Sequence, residues 1–178
     1  MKKKKLQFLL LSFAVFALVS CGGTSTTTST STAESSTTPI SKWEYSTSVD
    51  EMTGDTTTRA KCISENAARF QFPFEGENYL SIKVRKTNNE HDILIEIDNG
   101  QFNSASVYGQ TISVKFDEGK IIDVFCKGAS DGSGNVLFID KEKKFLPLLK
   151  DSKSMMIKVE FFQEGTRTFT FNTEGLVI

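Results

Sequence analysis

Apolar and polar residues alternate with a period of two along several segments of this chain. The clearest case is the segment 92–98, in which Ile93, Ile95 and Ile97 fall on one face of an extended backbone. Because successive side chains of a β-strand point to opposite faces, this pattern predicts strands with one buried face. Together with runs of β-branched and aromatic residues, it predicts strands at 43–48, 56–63, 67–72, 79–87, 92–98, 111–116, 120–127, 135–139, 154–162 and 166–172.

One segment has helical spacing instead. Its apolar residues, between Phe145 and Leu149, form a stripe within a helix predicted at about 141–149, and Asp140 is the candidate N-cap. Pro147 is expected to keep this helix short or to kink it. Many strands and one short packed helix predict a mainly β fold, either a β-sandwich or a compact barrel.

The N-terminus has the features of an export signal. Lysines at positions 2–5 precede a mostly apolar segment at 6–19. A signal-peptide core has about 7–15 such residues, whereas a membrane-spanning helix needs about 20. We therefore expect residues 1–20 to be a signal peptide rather than a retained membrane anchor.

The end of this signal, Leu18-Val19-Ser20-Cys21, resembles the lipobox of bacterial lipoproteins. In that class a diacylglycerol is attached to the cysteine thiol, and cleavage makes the cysteine the new N-terminus. The resemblance implies that Cys21 is the lipidation site and that its acyl chains hold the protein on a membrane. The alternative is an ordinary secretory signal in which Cys21 has no such role.

The segment after the lipobox has almost nothing to bury. Thirteen of the fifteen residues at 24–38 are Ser or Thr. Such a composition predicts a disordered spacer, with a glycosylated stalk as the alternative. The expected organisation is therefore a signal peptide at 1–20, a lipidated cysteine and flexible tether at 21–40, and a single β-rich domain at 41–178.

The charge distribution excludes two classes of partner. The formal charge of the whole chain is −1, and loss of the lysines of the signal leaves a net charge of about −5. Nucleic-acid-binding surfaces need clustered Lys and Arg, and a mildly acidic surface disfavours binding to anionic lipid. We therefore expect no nucleic-acid partner and an attachment to the membrane through the acyl chains on Cys21.

Two cysteines remain in the predicted domain. An oxidising compartment would allow a Cys62–Cys126 disulfide, which would typically stabilise the fold by about 2–4 kcal/mol. The alternative is two separately buried thiols.

No catalytic or metal-binding constellation stands out. The single histidine, His91, lies in a polar turn segment without a nucleophile pattern and is interpreted as a surface residue. The segment 131–142 resembles a calcium loop, but Val136 stands where the sharp turn requires glycine. Asp50 and Glu51 are interpreted as part of a solvated loop. We predict a protein that is not an enzyme and uses no cofactor or metal ion.

Several short stretches of the domain, in this order and spacing, resemble a group of small exported or lipid-anchored bacterial proteins of uncharacterised function. More distantly, the Trp43 start, the Phe145-Leu146 helix and the Gly175-Leu176 ending are similar to the VasI-like accessory proteins of type VI secretion. The stretches are Trp43-Glu44-Tyr45, Asp50-Glu51-Met52-Thr53-Gly54, residues 60–66, Phe72-Pro73-Phe74, Gly100-Gln101-Phe102, Val114-Lys115-Phe116-Asp117, Leu137-Phe138-Ile139, Phe145-Leu146, Phe161-Phe162-Gln163-Glu164-Gly165, Phe169-Thr170-Phe171 and Gly175-Leu176.

The resemblance implies a small β-rich domain without an established enzyme activity. It also implies a cysteine pair near Gly100-Gln101-Phe102, but residues 103–110 contain no cysteine, so this chain departs from the pattern. The expected function is a cell-envelope lipoprotein, on the outer rather than the inner membrane, whose domain binds or shields an unknown ligand. The alternatives are an accessory or assembly factor of a secretion system and an enzyme that acts on envelope glycans through a carboxylate pair.

Overall fold

The computed structural model describes residues 42–103 and 108–178. The predicted signal peptide, Cys21 and the Ser/Thr-rich tether lie outside the described residues, as does residue 41 at the predicted start of the domain. The elements are β1 (Glu44–Val49), β2 (Thr56–Phe70), β3 (Gly76–Thr87), β4 (Glu90–Ile97), β5 (Gln110–Phe116), β6 (Ile122–Gly128), β7 (Val136–Ile139), α1 (Glu142–Asp151), β8 (Ser154–Phe161) and β9 (Gly165–Asn172).

The strands form one antiparallel sheet in the order β1-β2-β3-β4-β7-β6-β5-β8-β9. The sheet curls into a half-barrel, and the described residues contain a single short helix. The predicted class, mainly β with one short helix, is confirmed. A single curled sheet corresponds to the predicted barrel rather than to the two packed sheets of a sandwich.

One long strand replaces two predicted ones. The segments 56–63 and 67–72 were expected as separate strands, but β2 is continuous, with a bulge between Ile63 and Ala67. The hydroxyl of Ser64 stabilises the bulge because it donates to the Asn66 carbonyl at 2.8 Å and accepts the Leu80 N–H at 3.1 Å. Polar residues at a bulge interrupt the alternation without ending the strand.

The alternating apolar residues line the inside of the curl. Ile93, Ile95 and Ile97 are all buried, as the period of two predicted. A group of phenylalanines fills the same interior, with Phe161 at its centre. Its ring centroid lies 4.9 Å from that of Phe70, 5.1 Å from that of Phe102 and 6.0 Å from that of Phe169.

Side chains connect β2 and β9 across the opening of the half-barrel. The Asn66 amide donates to the Thr168 carbonyl at 2.9 Å and accepts the Thr170 N–H at 2.8 Å. Further along, the Trp43 indole donates to the Thr173 carbonyl at 3.0 Å. These contacts take the place of a backbone ladder and hold the two ends of the sheet together.

The helix packs on the core through Phe145 and Leu149, which are both buried. The Phe145 ring lies edge-on to Phe116, with 5.3 Å between centroids. The predicted N-cap is wrong: Lys141 occupies that position and makes no side-chain cap, whereas Asp140 forms an ion pair with Lys127. Pro147 is accommodated inside the helix. No helix among the described residues has the length and apolarity needed to cross a membrane.

The two internal cysteines are free, so the predicted bridge between Cys62 and Cys126 is wrong for this structure. Cys62 lies on β2 and Cys126 on β6, strands that are separated by three others in the sheet. Both thiols are buried, and the Cys62 thiol donates to the Asn172 carbonyl at 3.3 Å. The two cysteines are small core side chains, the alternative that the sequence left open.

We expect both thiols to resist alkylation in the native protein. Burial, the largest cause, raises the pKa of Cys62 to about 11 and that of Cys126 to about 12. At pH 8 only roughly one Cys62 thiol in a thousand would be the reactive thiolate. Mass spectrometry should show no iodoacetamide adduct on either residue after one hour in native buffer and two adducts after unfolding in guanidinium without reductant. A requirement for reductant in the unfolded protein would instead show a disulfide.

Candidate functional site

The structure does not join the sequence-predicted candidates into one site. His91 lies in β4 rather than in the turn, because the β3–β4 turn consists of Asn88 and Asn89 alone. Its Nε2 atom is buried without a hydrogen-bond partner in a recess between this turn and α1. Burial, and then the charges of Lys86 and Lys150, lower the pKa of His91.

Asp50 and Asp131, the first residues of the two acidic loop segments, stabilise the turns in which they lie. The Asp50 carboxylate accepts the N–H groups of Met52 and Thr53, and these bonds lower its pKa. Asp131 likewise accepts the Ser133 N–H at 2.9 Å. Across residues 42–103 and 108–178, no three His, Cys, Asp or Glu side chains are grouped so that they could hold a metal ion.

The outer face of β2 and β3 carries cations in register. Arg59 lies opposite Arg85, and Lys61 lies opposite Lys83. Like charges directly opposite one another are unfavourable, and acidic neighbours offset them here. Arg85 binds Asp92 and Lys83 binds Glu96 on β4. Carboxylates of β4 therefore neutralise two of the four cations on this face, those of β3.

An apolar groove lies where β7 leaves β6. The two strands pair only from Cys126 to Gly128, and the last link between them is the Asp140 N–H, which donates to the Phe125 carbonyl at 3.0 Å. The chain then turns into α1. The first half of β6, Ile122–Val124, remains paired with β5 but has no strand on its other side.

The helix forms the opposite wall of this groove, which has a volume of about 310 Å³. We call it the α1–β6 groove. Phe125 is 45% exposed and Leu148 is 47% exposed, although both are large and apolar. The apolar lining of the groove consists of Ile122, Val124, Phe125, Phe145 and Leu148, and its charged lining of Asp123, Asp140, Lys141 and Lys144.

The charged side chains of the groove are engaged unequally. Asp140 pairs with Lys127, and this interaction raises the pKa of Lys127. Asp123 accepts a hydrogen bond from the Ser113 hydroxyl at 3.1 Å. Lys141 and Lys144 are exposed, and no carboxylate of the described residues lies within ion-pair distance of either. The rim therefore offers positive charge to a ligand.

Sequence reasoning missed this groove. The signal was present in Ile121-Ile122-Asp123-Val124-Phe125, where apolar residues occupy both faces of a predicted strand instead of alternating. A strand of this kind is either buried on both sides or exposes apolar surface. Here Ile121, Ile122 and Phe125 are exposed.

Comparisons of the chain with models of protein families, with curated proteins and with solved structures found no match. The function is therefore inferred from the residues and geometry of this chain.

Proposed function

We propose that this protein is a lipoprotein of the bacterial cell envelope, anchored through Cys21, whose β domain is a non-catalytic binding module. The α1–β6 groove is its binding site. The observation that carries this proposal is apolar surface left open in a concave site, with unpaired cations at the rim. Ligand sites are typically concave and mostly apolar, with a few polar groups that orient the ligand.

The carboxylates of the groove support binding over chemistry. A glycan-cleaving pair would need one carboxylic acid and one carboxylate that both face the substrate. Asp140 is instead engaged by Lys127, and Asp123 by Ser113. His91, the single histidine, lies in a different recess, on β4. The groove therefore has apolar contact and positive charge to offer, but no free acid–base pair.

Binding of 8-anilinonaphthalene-1-sulfonate, an apolar anion, tests the groove. We expect residues 22–178, the chain without its signal and lipidated cysteine, to enhance the fluorescence of this dye and the Leu148→Glu variant to lose at least four-fifths of the enhancement. Leu148 is half-exposed on the helix, so its replacement removes apolar contact and adds a negative charge with little effect on the core.

Met52→Glu is the matched control, because Met52 is 97% exposed on the β1–β2 turn, outside the groove. It should bind the dye as the unsubstituted chain does. Absence of enhancement in the unsubstituted chain, or an equal loss in both variants, would show that the groove is not a binding site.

A further inference from the structure

We infer that the α1–β6 groove binds an extended segment of a partner protein, which adds as a strand to the open edge of β6. An apolar side chain of the segment enters the groove, and an acidic side chain lies beside Lys141 and Lys144. This inference rests on the proposed function and adds the class of ligand and the way in which it binds.

The backbone at the open edge of β6 has no paired strand on the side that faces the groove. The Phe125 carbonyl points toward β7, where it accepts the Asp140 N–H. Alternate residues of a strand direct their N–H and C=O groups to the same side, so those of Asp123 point into the space that β7 leaves. Within the described part of the chain, no hydrogen bond reaches either group.

The open edge of β6 favours a peptide ligand over an acyl chain. A hydrocarbon in the groove would cover the N–H and C=O of Asp123 without offering a donor or acceptor, and burial of unpaired backbone groups is unfavourable. An extended peptide supplies both partners, as in other cases of strand addition to an exposed sheet edge. The helix wall then contacts alternate side chains of the added strand.

The charges define the composition of the segment. Lys141 and Lys144 stand at the rim without a carboxylate partner among the described residues, whereas both acidic groups of the groove are already engaged. An added strand with an apolar residue two positions from an acidic one would place both side chains on one face. The expected ligand is therefore an extended segment in which an apolar residue and an acidic residue stand two positions apart.

A peptide library tests the ligand class. Random dodecapeptides displayed on phage are panned against residues 22–178, and clones that also bind the Leu148→Glu variant are removed. We expect the selected peptides to be enriched in an apolar residue two positions from Asp or Glu. Lys144→Glu should weaken the best peptide by at least fivefold in calorimetry, and Met52→Glu should leave its affinity unchanged.

Two substitutions at one position test strand addition. Asp123→Pro removes the open N–H of the edge, whereas Asp123→Ala keeps it, and both lose the contact to Ser113. Proline is tolerated at an edge position whose N–H makes no ladder bond. We expect the proline variant to bind the selected peptide at least tenfold more weakly than the alanine variant.

Methylated peptides give the same test without a protein variant. N-methylation of alternate amides removes the donors that face β6 in one register and leaves them intact in the other. We expect one methylated peptide to lose at least tenfold in affinity and the other to bind as the parent does.

The alternative outcomes separate this inference from the proposed function. Equal binding by the proline and alanine variants, or by the two methylated peptides, would overturn strand addition. It is likewise overturned if no peptide is selected while decanoate displaces the dye, which would make an amphiphile the ligand. A concentration-dependent dimer lost only in Asp123→Pro would overturn it in favour of a second copy of the chain. Failure of the unsubstituted chain to bind the dye would contradict the proposed function itself.

Discussion

Replacement of Phe161 by alanine is expected to lower the free energy of unfolding by about 3–5 kcal/mol, the usual cost of removing a buried aromatic side chain. Phe161 is 2% exposed and contacts three other phenylalanine rings. Its removal leaves a cavity lined by Phe70, Phe102 and Phe169, which cannot all move to fill it. Chemical denaturation followed by tryptophan fluorescence measures the loss, because the single tryptophan, Trp43, is buried.

The neighbouring Phe162 is the matched control. It is 45% exposed on the opposite face of the strand end, so Phe162→Ala should cost less than about 1 kcal/mol. If Phe161→Ala does not fold, Phe161→Leu keeps most of the volume and should give a smaller, measurable loss. Equal effects of the two alanine substitutions would contradict the central position of Phe161 in the core.

The Cys21→Ala substitution is expected to abolish fatty-acid labelling and to release the protein from the membrane. Each buried methylene of an acyl chain contributes about 0.8 kcal/mol, so two or more chains give stable attachment where a single myristoyl chain binds reversibly. The physical reason is that the predicted acidic mature surface offers no second attraction to an anionic membrane. Metabolic labelling with palmitate and fractionation of the envelope measure both effects.

Cys126→Ala provides the control for this experiment. It removes a thiol that is buried in β6 and unavailable to a lipid donor, so labelling and membrane retention should be unchanged. Labelling that persists in Cys21→Ala would show that the anchor lies elsewhere. Retention on the membrane without labelling would instead indicate an uncleaved apolar N-terminus.

Local patterns were sufficient to predict most of the strands. The alternation of Ile93, Ile95 and Ile97 correctly identified a buried face, because residues two positions apart lie on the same side of a strand. The polar turn around Asn88 was equally informative, and the structure shows this residue with a φ of 55°, which asparagine tolerates well. The helix was placed within two residues at its C-terminus and one at its N-terminus.

Local sequence patterns did not predict the bulge in β2. Ser64, Glu65 and Asn66 read locally as a break between two strands, and only pairing with β3 on both sides shows that the strand continues. The hydroxyl of Ser64 replaces a missing ladder contact by accepting the N–H of Leu80. A residue sixteen positions away therefore decides the length of this strand.

The sequence alone determined the β class, the short helix that follows β7 and the turn at Asn88, because these depend on the periodicity and backbone preferences of neighbouring residues. Only the tertiary structure decided that Cys62 and Cys126 stay apart, since their separation depends on the order of strands in the sheet. The same holds for the α1–β6 groove. Its open edge exists because β7 ends at Ile139, which pairs with Cys126, while β6 extends back to Ile122 at the same end of the sheet, a mismatch in strand length that no local pattern encodes.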